Sequence, residues 1–371
     1  MNILMSLMKL DIGGAETHVV ELSKELKKRG HNIIITSNGG VFEKELAEAG
    51  IKHITVPLHS KKPQYAARAY SMLEKIIKEE KIDIVHSHAR IPSFLLNNLH
   101  KKMKFPFVTT AHWIFSTKYG LKYITAWGQK TIAVSEDIKK YLMDNYKISE
   151  EDITITVNGI DTEKFSGNVD KKPANDEFGI SDEDNTICYV SRMDKSRSLV
   201  AHHLIEAVLK LCDIVENIKC IIVGDGDDFD AVKEKAEAAN KRLGREAIIL
   251  AGGRTNINEM IAPAKLFVGV SRAALEALAC EKPTIVAGNE GYIGLFSEDK
   301  LEAGLSTNFC CRGCSEPSAA LLAQDIGAFF GLWEEEQKAL GEYGRKMVQE
   351  YYSVARMADD AESVYRKVLE G

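Results

Sequence analysis

The chain has 371 residues, 45% hydrophobic and 27% charged, with a formal net charge of −6. That length exceeds what one hydrophobic core usually supports, so two domains are expected. The composition is that of an ordinary globular protein, and no apolar run approaches the roughly 20 residues that span a bilayer. Met1–Phe165 carries 24 Lys and Arg against 19 Asp and Glu, so a mildly basic first half precedes an acidic remainder. A basic half favours an anionic acceptor or peripheral contact with an anionic membrane surface; the alternative is solvated lysines on helices. No basic stripe with interleaved aromatics points to nucleic acid. Seven scattered cysteines form no disulfide framework and fit a cytoplasmic, reducing setting. Cys310, Cys311 and Cys314 cluster, but no second Cys or His pair at ligand spacing joins them, so no metal is expected.

Asn2–Leu7 reads as an apolar strand rather than a signal peptide, because no basic region precedes it. Gly13 and Gly14 open a helix whose apolar positions Val19, Val20, Leu22 and Leu26 follow helical spacing up to Gly30. Strands are expected at Asn32–Thr36, Ile51–Val56, Asp83–His88, Phe107–Thr110, Gln129–Val134 and Ile153–Val157, with helices between most of them. Ser135 is a candidate N-cap for the helix Glu136–Asn145. The polar stretch Ser166–Asp184, with Gly167, Pro173 and Gly179, is expected to be a linker. Alternation then resumes with strands at Thr186–Val190, Lys219–Val223, Ala247–Ala251, Ala264–Val268 and Pro283–Ala287, a glycine-marked loop at Gly288, Gly291 and Gly294, and a largely helical tail. The expected fold is α/β: two facing Rossmann-like domains, 1–165 and 185–350, joined by linker 166–184, with ligands at the carboxyl ends of parallel strands.

Four places carry candidate chemistry. Gly269–Ser271 forms a small-residue turn feeding the helix Arg272–Cys280, where free N–H groups and the helix dipole suit a phosphate. Glu276, one turn in, suits a ribose diol; an ordinary surface Glu is the alternative. Gly13-Gly14 brings backbone close to an anion at the first helix, but lacks the spacing of a dinucleotide fingerprint. His112 ends a strand and could bond a phosphate or sugar, or simply pack beside Trp113. His86 and His88 are read as pointing to opposite faces of their strand, one lining the crevice. The Ser191–Arg197 loop offers Arg192, Lys195 and Arg197 at a strand end, suited to a diphosphate leaving group.

With these pieces in order, the chain resembles the family 4 glycosyltransferases of the two-domain GT-B fold over nearly its whole length. The resemblance rests on Gly13-Gly14-Ala15-Glu16-Thr17-His18, Asp83-Ile84-Val85-His86-Ser87-His88, Thr110-Ala111-His112, Ala133-Val134-Ser135, Asn158-Gly159-Ile160-Asp161 with Phe165, the Arg192 loop, Val223-Gly224-Asp225-Gly226, and Leu275-Glu276-Ala277 with Lys282-Pro283. It implies sugar transfer from a nucleotide diphosphate donor with retention, without cofactor or metal. UDP-sugar is the favoured donor, and a cell-surface polysaccharide or glycolipid the acceptor. His112, Arg192 and Arg197 would be catalytic. Glu276, Gly269, Ser271, Arg272 and Gly224 would hold the donor, and Gly13 and Gly14 the acceptor or phosphates. A C-terminal helix in 351–371 would cross back to the N-terminal domain. Three departures bear on this reading: Val268 stands where relatives often carry a first glutamate, Arg197 replaces a lysine, and Ser191 a glycine. The alternatives are a nucleotide-sugar epimerase on the same fold and a catalytically silent GT-B protein that binds a nucleotide sugar or a partner.

Overall fold

The computed structural model describes residues 1–370. The chain divides into two compact units, Met1–Gly159 with the chain from Val354 onward, and Ile160–Ser353.

The first unit holds β1 (Asn2–Ser6), β2 (Asn32–Ser37), β3 (Lys52–Thr55), β4 (Ile84–Ser87), β5 (Phe107–Ala111), β6 (Lys130–Ala133) and β7 (Ile153–Ile155). They form one parallel sheet ordered β3-β2-β1-β4-β5-β6-β7. Its strands are apolar on both faces, as a sheet covered twice requires. Ile3, Met5, Ile33 and Ile35 pack with the helices Gly14–Lys28 and Val354–Glu370, while Leu4 and Ile34 pack with Pro63–Glu79 and Arg90–Met103. This period-two division sorts alternate side chains to opposite layers.

The C-terminal helix Val354–Glu370 belongs to this unit. Arg29, at the end of the first helix, bonds Asp359 at 2.6 Å and Glu362 at 3.1 Å, and His31 meets Glu362 at 2.7 Å. Gly159 passes directly beneath this helix; a Cβ there would lie 2.8 Å from the Val354 Cα.

The second unit holds β8 (Asn185–Val190), β9 (Ile218–Val223), β10 (Ile248–Gly252), β11 (Leu266–Gly269), β12 (Thr284–Gly288) and β13 (Gly291–Leu295), ordered β10-β9-β8-β11-β12-β13. All pairs are parallel except β12–β13. Leu204, Val208, Leu322, Ile326 and Phe329 seal one face of this sheet.

Four expectations about the chain's course change. The chain switches units after Gly159, not Phe165, because Ile160 and Phe165 are buried within the second unit. The stretch expected as linker contains the helix Lys172–Phe178; Pro173 begins it and Gly179, at φ 61°, ends it, so both residues are caps rather than linker marks. The glycine-marked loop is largely strand β13, turning back antiparallel on β12. The chain returns to the first unit at Val354, after the helix Glu334–Tyr351 has ended, rather than at 351. Among the described residues no helix is long and apolar enough to cross a membrane.

Candidate functional site

Each sheet reverses its strand order once, between β1 and β4 and between β8 and β11. Loops leaving the carboxyl ends of such strands diverge and leave space for a ligand. The sequence candidates fall on these loops.

In the first unit, Gly13 is extended (φ −172°) and Gly14 starts a 15-residue helix. Thr17 closes the first turn, its backbone N and its Oγ1 both 2.9 Å from the Gly13 carbonyl oxygen. A Cβ built on the exposed Gly14 meets nothing within 4 Å, so this helix end is open on that side. An open helix N-terminus favours an anion.

Behind it lie four imidazoles. His18 sits in the second turn of that helix, His86 in β4, His88 just after β4, and His112 just after β5. His86 and His88 do not point to opposite faces: residues two apart along a strand share a face, and their ring centroids are 4.0 Å apart. His88 Nδ1 lies 3.1 Å from His112 Nε2, and the His18 and His112 rings meet edge to face at 4.8 Å. His18 Nδ1 is 3.3 Å from Asn158 Oδ1, which gives the Asn158-Gly159 motif a role in holding that ring. His86 is structural: it bonds Tyr365 and Thr110, each at 2.7 Å, tying the C-terminal helix to the sheet. Burial, then the His18 charge, lowers the His86 pKa to about 3. Burial, then neighbouring imidazoles, holds His88 and His112 well below the usual histidine range. These rings are neutral hydrogen-bonding groups at neutral pH. Trp113 is 47% exposed, while His112 is partly buried among His18 and His88.

In the second unit, the Ser191–Arg197 loop leaves β8 with Arg192 and Arg197 exposed. Arg197 Nε is 3.9 Å from Asp194, too far for a hydrogen bond. The loop's backbone is pinned from β9: Met193 donates to the Asp225 carbonyl at 3.0 Å, and Asp228 donates to the Met193 carbonyl at 2.7 Å. Gly224 has a structural reason to be glycine, since a Cβ there would sit 1.8 Å from the Ser191 carbonyl oxygen. Asn289, between β12 and β13, donates to the Ser196 carbonyl at 2.7 Å. Thus the loop's backbone is fixed, and both arginine side chains on it are exposed.

Next to this loop, β11 ends at Gly269 and the helix Ser271–Ala279 begins. Ser271 adopts φ 55°, a left-handed conformation that costs a β-carbon-bearing residue about 1–3 kcal/mol. Its N–H donates to the Phe309 carbonyl at 2.7 Å, so the Ser271 amide is not among the free N–H groups expected of this turn. Arg272 Nε donates to Glu276 Oε1 at 2.8 Å, one turn apart. Glu276 is 8% exposed, so it is a nearly buried, ion-paired carboxylate rather than a surface one. Arg272 therefore orients Glu276, a role its sequence position did not announce. Sequence reasoning also passed over His18 and Asn158 as site residues; His18 was visible only as the last letter of the Gly13–His18 motif.

Comparison with known proteins fits this geometry. The model of Glycosyltransferase Family 4 matches residues 12–164, and that of Glycosyl transferases group 1 matches residues 170–347. N-acetyl-alpha-D-glucosaminyl L-malate synthase of Bacillus anthracis is 24% identical over 96% of this chain and 95% of its own length. A glycosyltransferase from Rickettsia africae superposes with a TM-score of 0.81 at 24% identity, covering 100% of this chain and 99% of that one. Anabaena Alr3699/HepE in complex with UDP-glucose superposes with a TM-score of 0.75 at 18% identity, covering 99% and 100%. The sheet order, the loops at both switch points and the two family matches agree: the chain is a family 4 glycosyltransferase of the GT-B fold.

Proposed function

We propose that this glycosyltransferase moves N-acetylglucosamine from a UDP-sugar to a hydroxyl of an anionic acceptor, with retention at the anomeric carbon and without a required metal. The observation that carries this reading is the β8/β11 switch point, where Arg192 and Arg197 project from a pinned loop beside the oriented carboxylate of Glu276. Exposed guanidinium groups on this loop can meet negative charge as it builds on the departing diphosphate, which is where stabilisation accelerates transfer. Glu276, already aimed by Arg272, is suited to accept from the two hydroxyls of a ribose. Gly13 and Gly14, at the open helix end, suit an acceptor carboxylate or phosphate. His112, neutral at physiological pH, positions the transferred sugar by hydrogen bonding.

The choice of sugar and acceptor draws on the relatives. The Bacillus anthracis protein is named for an N-acetyl-α-glucosaminyl unit on L-malate, and the Anabaena protein was captured with UDP-glucose. An α-linked product from an α-linked UDP donor is retention. The excess of 24 cations over 19 anions in Met1–Phe165 supports an acceptor of negative charge.

The test is a panel of UDP-, GDP- and ADP-sugars incubated with hydroxy-acid and phosphoinositide acceptors, with a chelator present. UDP should be released from UDP-N-acetylglucosamine in the presence of acceptor. Thermal-shift stabilisation by UDP reports donor binding independently of turnover. A stable sugar product formed without acceptor would instead favour an epimerase, and no release or binding with any donor would sink the reading.

A further inference from the structure

We propose that His18, His88 and His112 form a binding site for one first-row transition metal ion of the Zn2+ class, held by three imidazoles with a fourth position open. One ligating nitrogen from each residue lies within 4.8 Å of the others. Two nitrogens sharing a tetrahedral ion, with bonds of about 2.0–2.1 Å, stand roughly 3.3 Å apart. His88 Nδ1 and His112 Nε2 already stand 3.1 Å apart. The third ring would close the set by moving about 1.5 Å, within reach of a side-chain torsion.

A second observation points the same way. His88 Nε2 is buried without a hydrogen-bond partner. A single proton can bridge His88 and His112. If His88 donates it, its Nε2 is a bare buried lone pair; if His112 donates it, His88 Nε2–H is a buried donor with nothing to accept. Neither tautomer satisfies both rings, so the pair is not a closed hydrogen-bond network and its facing nitrogens are open to a cation. An ion on the facing nitrogens His88 Nδ1 and His112 Nε2 replaces the shared proton between them and fixes the His88 tautomer with its proton on Nε2. The donor set selects the ion: neutral imidazoles suit Zn2+, Cu2+, Ni2+ or Co2+, whereas Mg2+ and Ca2+ require oxygen ligands. His18 and His88 are buried and His112 is half-buried, which leaves one side for entry and for the open position. Such an ion would hold the imidazole that the transferase reading gives to the sugar, so metal and sugar would exclude each other there.

Equilibrium dialysis of the purified full chain against ZnCl2, followed by elemental analysis, measures the site without any nucleotide sugar and so stands apart from the transferase reading. The expected result is one tightly held Zn2+ per chain. Affinity should fall at least tenfold in His18→Gln and in His88→Gln, with circular dichroism confirming that each variant is folded. Should a variant fail to fold, the wild-type spectrum with Co2+ decides: tetrahedral d–d bands without thiolate charge transfer support the three-histidine site. Absence of stoichiometric Zn2+, unchanged affinity in the two variants, or a thiolate band pointing to Cys310–Cys314 would each overturn the proposal.

Discussion

At the carboxyl ends of β1, β4 and β5 the first unit gathers four imidazoles, whereas after β8 and β11 the second unit gathers Arg192, Arg197, Arg272 and Glu276. Both sets occupy the same topological position in sheets that reverse order in the same way. His86, His88 and His112 are packed ring on ring and kept neutral by burial, which suits them to short-range hydrogen bonds. Two of the arginines are exposed on a pinned loop, so they act through charge. A parallel sheet therefore supplies the location, and burial decides whether that location works by direction or by field. In the proposed transfer, the first pattern would serve the sugar and acceptor hydroxyl and the second the diphosphate.

The largest expected effect tests the charged region. Replacing both Arg192 and Arg197 by alanine should lower kcat for transfer by about 10²–10³-fold or more, because donors aimed at developing charge contribute on this scale. Folding should be unaffected, since both side chains are exposed. Retained turnover would remove the leaving-group role. In the neutral region, His112→Ala should lower kcat by roughly 10²-fold with a wild-type melting curve, the scale expected when a sugar is misplaced. Turnover at the wild-type rate would make His112 a packing residue after all.

Glu276→Gln should raise the KM for UDP-sugar by about 10- to 100-fold, in line with one hydrogen bond to a charged group at about 1.5–3 kcal/mol, while leaving kcat nearly unchanged. An unchanged KM would detach Glu276 from the ribose. Tyr365→Phe should cost about 1–3 kcal/mol in denaturant unfolding, because it leaves the buried His86 Nδ1 without its 2.7 Å partner.

The smallest effect is one of pH. His86 has its folded pKa lowered to about 3, below the roughly 6.5 of an unfolded chain. On acidification the unfolded chain takes up the proton first, so His86 contributes its full stability above about pH 6.5 and loses it as the pH falls toward 3. His18, His88, Tyr365 and Thr110 face this ring. Tm should therefore fall between pH 7 and pH 5, and less so in His86→Gln. An equal pH slope in that variant would mean that the buried imidazole is not the sensor.

Much of this was legible in one dimension. Alternating apolar strands and 3.6-periodic helices identified two parallel sheets; Gly13-Gly14 and the Arg192 loop were singled out as candidates by their positions at strand ends, and Glu276 by its place one turn into the following helix. Errors arose where a local signal had two physical causes. Pro173 and Gly179 mark a linker or the caps of a helix, and only burial of the chain around them distinguishes the two. Gly291 and Gly294 mark a loop or an edge strand, and pairing with β12 decides.

By itself the sequence determined most of the strands and helices and which residues lie at strand ends, because side-chain periodicity and turn chemistry are local properties. Only the tertiary structure decided which of those ends meet. His18, His88 and His112 converge because β1 pairs with β4 and β4 with β5, although about 70 residues separate the first two histidines in the chain. The Arg272–Glu276 bond needed a buried helix face, and the His86–Tyr365 bond needed the last helix to return to the first sheet. Strand neighbours and helix docking follow from the packing of a whole core, which no local spacing encodes.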